Sequence, residues 1–174
     1  MTARGGPRLS PPQHTGVVAP PRILFADFDG VLHPTLAAGA DPSGDALVST
    51  KHFGWVPALE GALRGHPDVR VVVHSTWRYR YDLEELRGVL GSLAPRVIAS
   101  TRSDLPRYDS ILDWLQLNPR CTDFRILDDD ANEFPSPMPS ELIICNPLTG
   151  VGSGGASSTR GLARAAHELK RPAE

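Results

Sequence analysis

The chain has 174 residues, enough for one domain with a real core. Apolar residues make up 40% and charged residues 22%, ordinary proportions for a soluble globular protein. The formal net charge of -2 excludes an overall basic field that would draw the protein to nucleic acid or anionic lipid, but not a local basic patch. No apolar stretch approaches the roughly 18 residues that span a bilayer, so no membrane partner is expected. The two cysteines, Cys121 and Cys145, form no CxxC and have no metal-binding spacing. Both are expected to be buried free thiols, which fits a reduced cytoplasm.

In chain order, residues 1–21 are rich in Pro and Gly and lack the apolar core of a secretory signal. They read as a flexible leader ending at Pro21, with residues 22–174 forming a single domain. The apolar run Arg22–Ala26 is a strand. Asp27, Asp29 and Gly30 stand where it ends. The loop Pro34–Lys51 is polar and rich in small residues. Trp55–Arg64 places Trp55, Leu59 and Leu63 at helical spacing, and Val69–Val73 is a second strand. Asp82–Leu90 is a helix with Leu83, Leu86, Val89 and Leu90 on one stripe and acids in its first turn, where the helix dipole favours them. Arg96–Ala99 is a shorter strand. Tyr108–Leu117 is a helix with Ile111, Leu112 and Leu115 together. Phe124–Leu127 and Leu142–Cys145 are further strands. Gly150–Ser158 reads as mobile, and Thr159–Lys170 as a last helix with Leu162, Ala166 and Leu169 inward.

The strands are continuously apolar rather than alternating, so they are expected to be buried on both faces. Strands alternating with helices predict an α/β fold: a mainly parallel sheet in three layers, with helices on both faces. Right-handed crossovers then put every strand's C-terminal end on one side, where functional groups gather.

The polar residues just past those ends are a chemical set. Asp27 and Asp29 are two apart in an extended segment, so both can face one site. Two carboxylates that close repel unless a proton or cation lies between them, and a hard divalent ion such as Mg²⁺ is the simplest partner. The second strand leads into His74, Ser75, Thr76, Trp77 and Arg78. Arg107 stands a helix and a loop ahead of Asp128, Asp129 and Asp130. An acid-x-acid, a hydroxyl, a cation and a second acid cluster, in that order, point to phosphoryl transfer.

DFDGVLHP, VVVHST, an arginine ahead of the last acids, and FRILDDD resemble the four motifs of the haloacid dehalogenase (HAD) superfamily of phosphohydrolases. More narrowly, DFDGVLHP, HSTWR, RYDSILDWL, LDDD and NPLTGV in this order resemble the small HAD domains associated with RNA-repair proteins. The resemblance covers about residues 22–170 and implies a Rossmann-like HAD fold. It implies Asp27 as nucleophile through an aspartyl-phosphate, and Asp29 as proton donor and then base. It implies Mg²⁺ held by Asp27, the Asp29 carbonyl and Asp128. Asp129 would be a ligand through water or an acid behind the ligands, and Asp130 a cap of the next turn. Ser75 and Arg107 would hold the phosphoryl group. His74 and Thr76 remain rivals to Ser75, and Arg102 to Arg107. The superfamily's commoner lysine is replaced by arginine, which keeps the charge. Gly30 suits close backbone approach. Thr76 and Arg78 are candidate substrate contacts. Arg78 reaches either a substrate phosphate or an acid on the next helix. Trp77 is core or a wall of the cleft, and His33 lines the entrance.

Neither interval between motifs has room for a cap of ordinary domain size. Uncapped relatives often act on large molecules, so the expected substrate is a phosphorylated macromolecule, nucleic acid or protein, or a nucleic-acid end. Two other classes compete. One is a binding or regulatory domain that keeps the HAD fold without turnover. The other is a phosphorylatable receiver domain, which wants a lysine where Asn146-Pro147 stands.

Overall fold

A computed structural model describes residues 20–35 and 53–151. Residues 1–19 of the expected leader 1–21, most of the loop Pro34–Lys51, residues 152–158 and the expected helix Thr159–Lys170 lie outside the described residues.

Five strands, β1 (Arg22–Ala26), β2 (Val69–Val73), β3 (Val97–Ser100), β4 (Phe124–Asp128) and β5 (Leu142–Ile144), form one sheet in the order β3-β2-β1-β4-β5. Every pairing is parallel. Between them lie α1 (Val56–Leu63), α2 (Leu83–Val89) and α3 (Arg107–Leu117). The chain winds outward from β1 through β2 to β3, then α3 returns it to β4 on the other side of β1. The strand order therefore reverses at β1, and ligands of open α/β sheets sit at such a point, beyond the strands' C-terminal ends. This is the α/β, Rossmann-like architecture expected, and no large cap interrupts it among the described residues.

Residue alternation along the strands builds two cores. Leu24, Ala26, Val71 and Val73 face α1 and α2, with Leu59, Leu63 and Leu86 packed on them. Ile23, Phe25, Val72 and Ile126 face α3 and Ile111. Phe25 meets Trp114 and Phe124 edge to face, with ring centroids 5.5 and 5.9 Å away. The central strands are buried on both faces, as their composition requires. The edge strands are not: Ile98 on β3 is 38% exposed and Ile144 on β5 is 43% exposed.

Local chemistry sets the element ends. Asp82 accepts from the Glu85 amide at 2.9 Å, and Glu85 accepts from the Asp82 amide at 2.8 Å, a capping box that starts α2. β3 begins one residue later than its apolar run suggested. Arg96 instead closes the preceding turn and donates to the carbonyls of Leu63, His66 and Val69 at 2.9, 2.7 and 3.1 Å. Both cysteines are free; Cys145 is buried, but Cys121 is only partly so.

Candidate active site

β1 and β4 are neighbours in parallel register, with Ala26 opposite Leu127. Their next residues, Asp27 and Asp128, therefore emerge side by side. Both are buried, at 1% and 0% exposure. Arg107, the first residue of α3, inserts its Nη1 between them. It lies 3.0 Å from Asp27 Oδ2 and 2.8 Å from each oxygen of Asp128. Arg102, the rival cation, pairs instead with Asp104 and Asp113 at the surface.

β2 ends beside β1, and its three following residues separate. His74 is buried and its Nε2 lies 3.0 Å from Asp128 Oδ2. Burial, with the Arg107 and Arg78 cations nearby, pushes its pKa well below 6.5. The ring is thus neutral, and Nε2–H donates to the carboxylate. Ser75 is buried against Asp27, where it favours the ionised carboxylate, and its Oγ accepts from the Trp77 amide at 3.4 Å. Thr76 faces solvent. The strand ends at Val73 and a 3₁₀ turn spans Thr76–Tyr79, so strict alternation does not apply there.

Arg78 serves neither role expected of it. Its five N–H donors go to the carbonyls of His74, Ser75, Arg102 and Leu105 and to the Tyr79 hydroxyl, at 2.5 to 3.2 Å. With every donor taken, it offers nothing to a phosphate. It fastens the turn after β2 to the loop before α3. His33 is not at the entrance but buried, among Phe53 and Trp77. Asp130 caps the next turn, accepting from the Asn132 amide at 2.9 Å.

Asp27, Asp128 and Asp129 form one acidic group, with a ligand atom of each within 4.8 Å of the others. The Asp29 side chain stays outside it, at the Trp77 indole and His33. Two observations fit a divalent cation here. Asp27 Oδ1 is buried with no hydrogen-bond partner, a costly state unless an ion or ligand meets it. The set is all oxygen, the donor type that Mg²⁺ takes. Asp129 lies against Gly30, and Thr35 Oγ donates to its Oδ2 at 3.3 Å.

Gly30 is fixed twice over. Its φ of +66° is left-handed, and a Cβ there would lie 2.1 Å from Asp129 Oδ2. Gly30→Ala is expected to displace Asp129 and cost more than about 1 kcal/mol. Mg²⁺ titration followed by thermal melting should show both effects. An unchanged melt and affinity would mean that the approach is not needed.

Burial is the main cause that raises the Asp27 pKa from 3.8 to about 7; Arg107 opposes it, and Asp128 adds to it. Asp128 is raised by burial also. The consequence for stability has a definite sign. At a pH below 3.8 the Asp27 carboxyl keeps its proton folded or unfolded, and nothing is lost. As pH climbs from 3.8 to about 7, the unfolded chain gives up a proton that the folded chain still holds, so the fold loses stability until the folded group ionises. In chelator-treated buffer, Asp27→Asn should thus exceed the wild type in stability by roughly 1–4 kcal/mol at neutral pH and above. The gain should shrink towards zero near the ordinary carboxyl value of 3.8. Urea unfolding of both proteins across that range checks the curve, and a gain that grew on acidification would contradict it.

The family described as "HAD domain in Swiss Army Knife RNA repair proteins" matches residues 23–154. The chain belongs to this family. No curated protein and no solved structure matches it. This HAD domain therefore has a phosphohydrolase-type fold, with an acidic cluster at the expected strand ends. Among the described residues, no helix is long and apolar enough to cross a membrane.

The acids and Arg107 are legible as motifs, and His74 as a structural, hydrogen-bonded histidine, but which acid His74 and Trp77 would each meet is not. His74 was visible as the residue after a strand. That it would meet Asp128 depends on β2 and β4 flanking β1.

Proposed function

We propose that this HAD domain is a Mg²⁺-dependent phosphohydrolase that works through an aspartyl-phosphate on Asp27. The observation that carries the reading is the buried Asp27, with one oxygen paired to Arg107 and the other unpartnered beside Asp128 and Asp129. A carboxylate so placed is dehydrated and fixed, as an attacking group must be.

Asp27 attacks phosphorus in line with the leaving oxygen. Asp29, 34% exposed at the side chain, is open to the substrate side and protonates that oxygen. The alcohol departs. Asp29, now a base, takes a proton from water, which attacks the acyl phosphate and frees Asp27 and phosphate. Ser75 and Arg107 orient the phosphoryl oxygens, and the Arg107 charge offsets theirs. His74 and Arg107 hold Asp128 in place. A divalent ion held by Asp27, Asp128 and the Asp29 carbonyl, with Asp129 beside them, would neutralise charge on the transferring group.

The substrate we propose is a phosphorylated nucleic-acid end. Among the described residues no large cap is present to enclose a small ester, and the matched family is described from RNA repair proteins. The test is a Mg²⁺-dependence assay over nucleotides, sugar phosphates, phosphopeptides and phosphorylated oligonucleotide ends, with intact-mass detection of phosphorylated Asp27. Oligonucleotide ends should turn over best. Faster turnover of small esters would refute the substrate class. No turnover across the panel would favour a binding domain that keeps the fold.

A further inference from the structure

The geometry points to His33 and Trp77 as positioning residues for Asp29, a two-ring clamp that aims the acid at the leaving oxygen. The inference rests on the phosphohydrolase reading above. Asp29 lies just past the strand, in a turn, where no regular backbone pairing fixes its side chain. A single β-bridge, Asp29 to His33, ties the two residues together. Trp77 Nε1 donates to Asp29 Oδ2 at 3.1 Å. His33 Nε2 lies 3.4 Å from the other oxygen, Oδ1. Each carboxyl oxygen thus meets one ring.

The rings themselves are held. His33 is 1% exposed, and its Nδ1 lies 2.9 Å from the Pro34 carbonyl. A carbonyl only accepts, so Nδ1 carries the hydrogen and the ring cannot flip without losing that bond. Phe53 packs edge-on to His33 at 4.9 Å and to Trp77 at 5.2 Å, and Phe28 meets Trp77 at 5.8 Å. The clamp is therefore a rigid aromatic cluster with one polar atom per ring turned to Asp29. With Nδ1–H given to Pro34, His33 Nε2 keeps only a lone pair and has no hydrogen-bond partner in this structure; a proton carried on Asp29 Oδ1, 3.4 Å away, is what it would meet.

The indole N–H can only donate, so Oδ2 stays an acceptor and the proton that Asp29 delivers belongs on Oδ1. Without Trp77 the carboxyl turns freely about its last bond, and either oxygen can face the substrate. A proton donor misplaced in this way fails only where the leaving oxygen needs a proton.

That last point separates positioning from mere packing. An alkyl phosphate needs the acid, whereas a dinitrophenyl phosphate has a leaving group stable as the anion. The parameter to read is kcat/KM, which covers leaving-group departure but not the later hydrolysis step, where Asp29 acts as a base. Trp77→Phe keeps the ring and removes the N–H; His33→Phe keeps a ring and removes both nitrogens. Each should lower kcat/KM for the alkyl ester about tenfold to a hundredfold and for the dinitrophenyl ester by far less. The ratio of the two esters is taken on one sample, so a reduced folded fraction cancels. Equal losses on both esters in both variants would overturn the clamp and leave the phosphohydrolase reading intact. The alkyl phosphate is tested both as a small ester and as a phosphorylated oligonucleotide end, and a wild-type protein that hydrolyses none of these substrates would overturn that reading and the clamp with it.

Discussion

Asp27→Asn is expected to lower kcat/KM for phosphomonoesters by on the order of 10⁴-fold or more while leaving the chain folded. Asparagine has the same shape but is no nucleophile, so the aspartyl-phosphate cannot form. The surrounding structure should tolerate it well. Asp27 is 1% exposed and stands beside the buried Asp128, so the wild-type site confines two acids next to one arginine. Removing one charge relieves that crowding, and Arg107 keeps Asp128 as its partner. One substitution therefore moves activity down and metal-free stability up, which an ordinary core defect cannot do. Phosphatase assays with Mg²⁺ and thermal melts with chelator measure the two sides. Activity that survived the change would remove Asp27 from the nucleophile's role.

Arg107→Leu should be the most damaging change to the fold itself. Its guanidinium is the cation that meets both Asp27 and Asp128, at 2.8 to 3.0 Å, and the three are largely shielded from water. Leucine fills part of the volume and leaves two buried carboxylates with no cation from α3. A loss of about 3–5 kcal/mol is expected, the cost of stranding buried charge. Arg107→Lys keeps the charge and should recover a good part of it, though not the shared contact of one nitrogen with three oxygens. Mg²⁺ should partly restore the leucine variant, because the ion supplies positive charge at the same acids. Melts of the variants with and without Mg²⁺ decide this. A leucine variant as stable as wild type in chelator would show that the acids carry no net charge to be matched.

The residues whose fate was readable are those whose signal is local. The strands appear within a residue of their apolar runs, because a sheet interior needs nothing of the sequence but apolar, mostly β-branched, side chains in a row. Asp27 and Asp128 were readable for the same reason: each is the first polar residue after such a run. β3 begins one residue after its apolar run starts because Arg96 is drawn off by three carbonyls that lie 27 to 33 positions away. α3 begins at Arg107 and not at Tyr108, so the arginine sits in the first turn of a helix aimed at the acids.

By itself the sequence determined the order of strands and helices, and which acids, hydroxyl and cations arrive at the strand ends. It could not say which of them would meet. Arg107 and Arg102 are equal as letters, yet folding puts one between Asp27 and Asp128 and the other on the surface. Arg78 became a brace of carbonyls, His74 a support for Asp128, and His33 with Trp77 a frame around Asp29. The physical reason is common to all four. A buried charge or lone pair must be met by whatever donor the packed chain brings within about 3 Å, and that choice exists only once distant segments have come together.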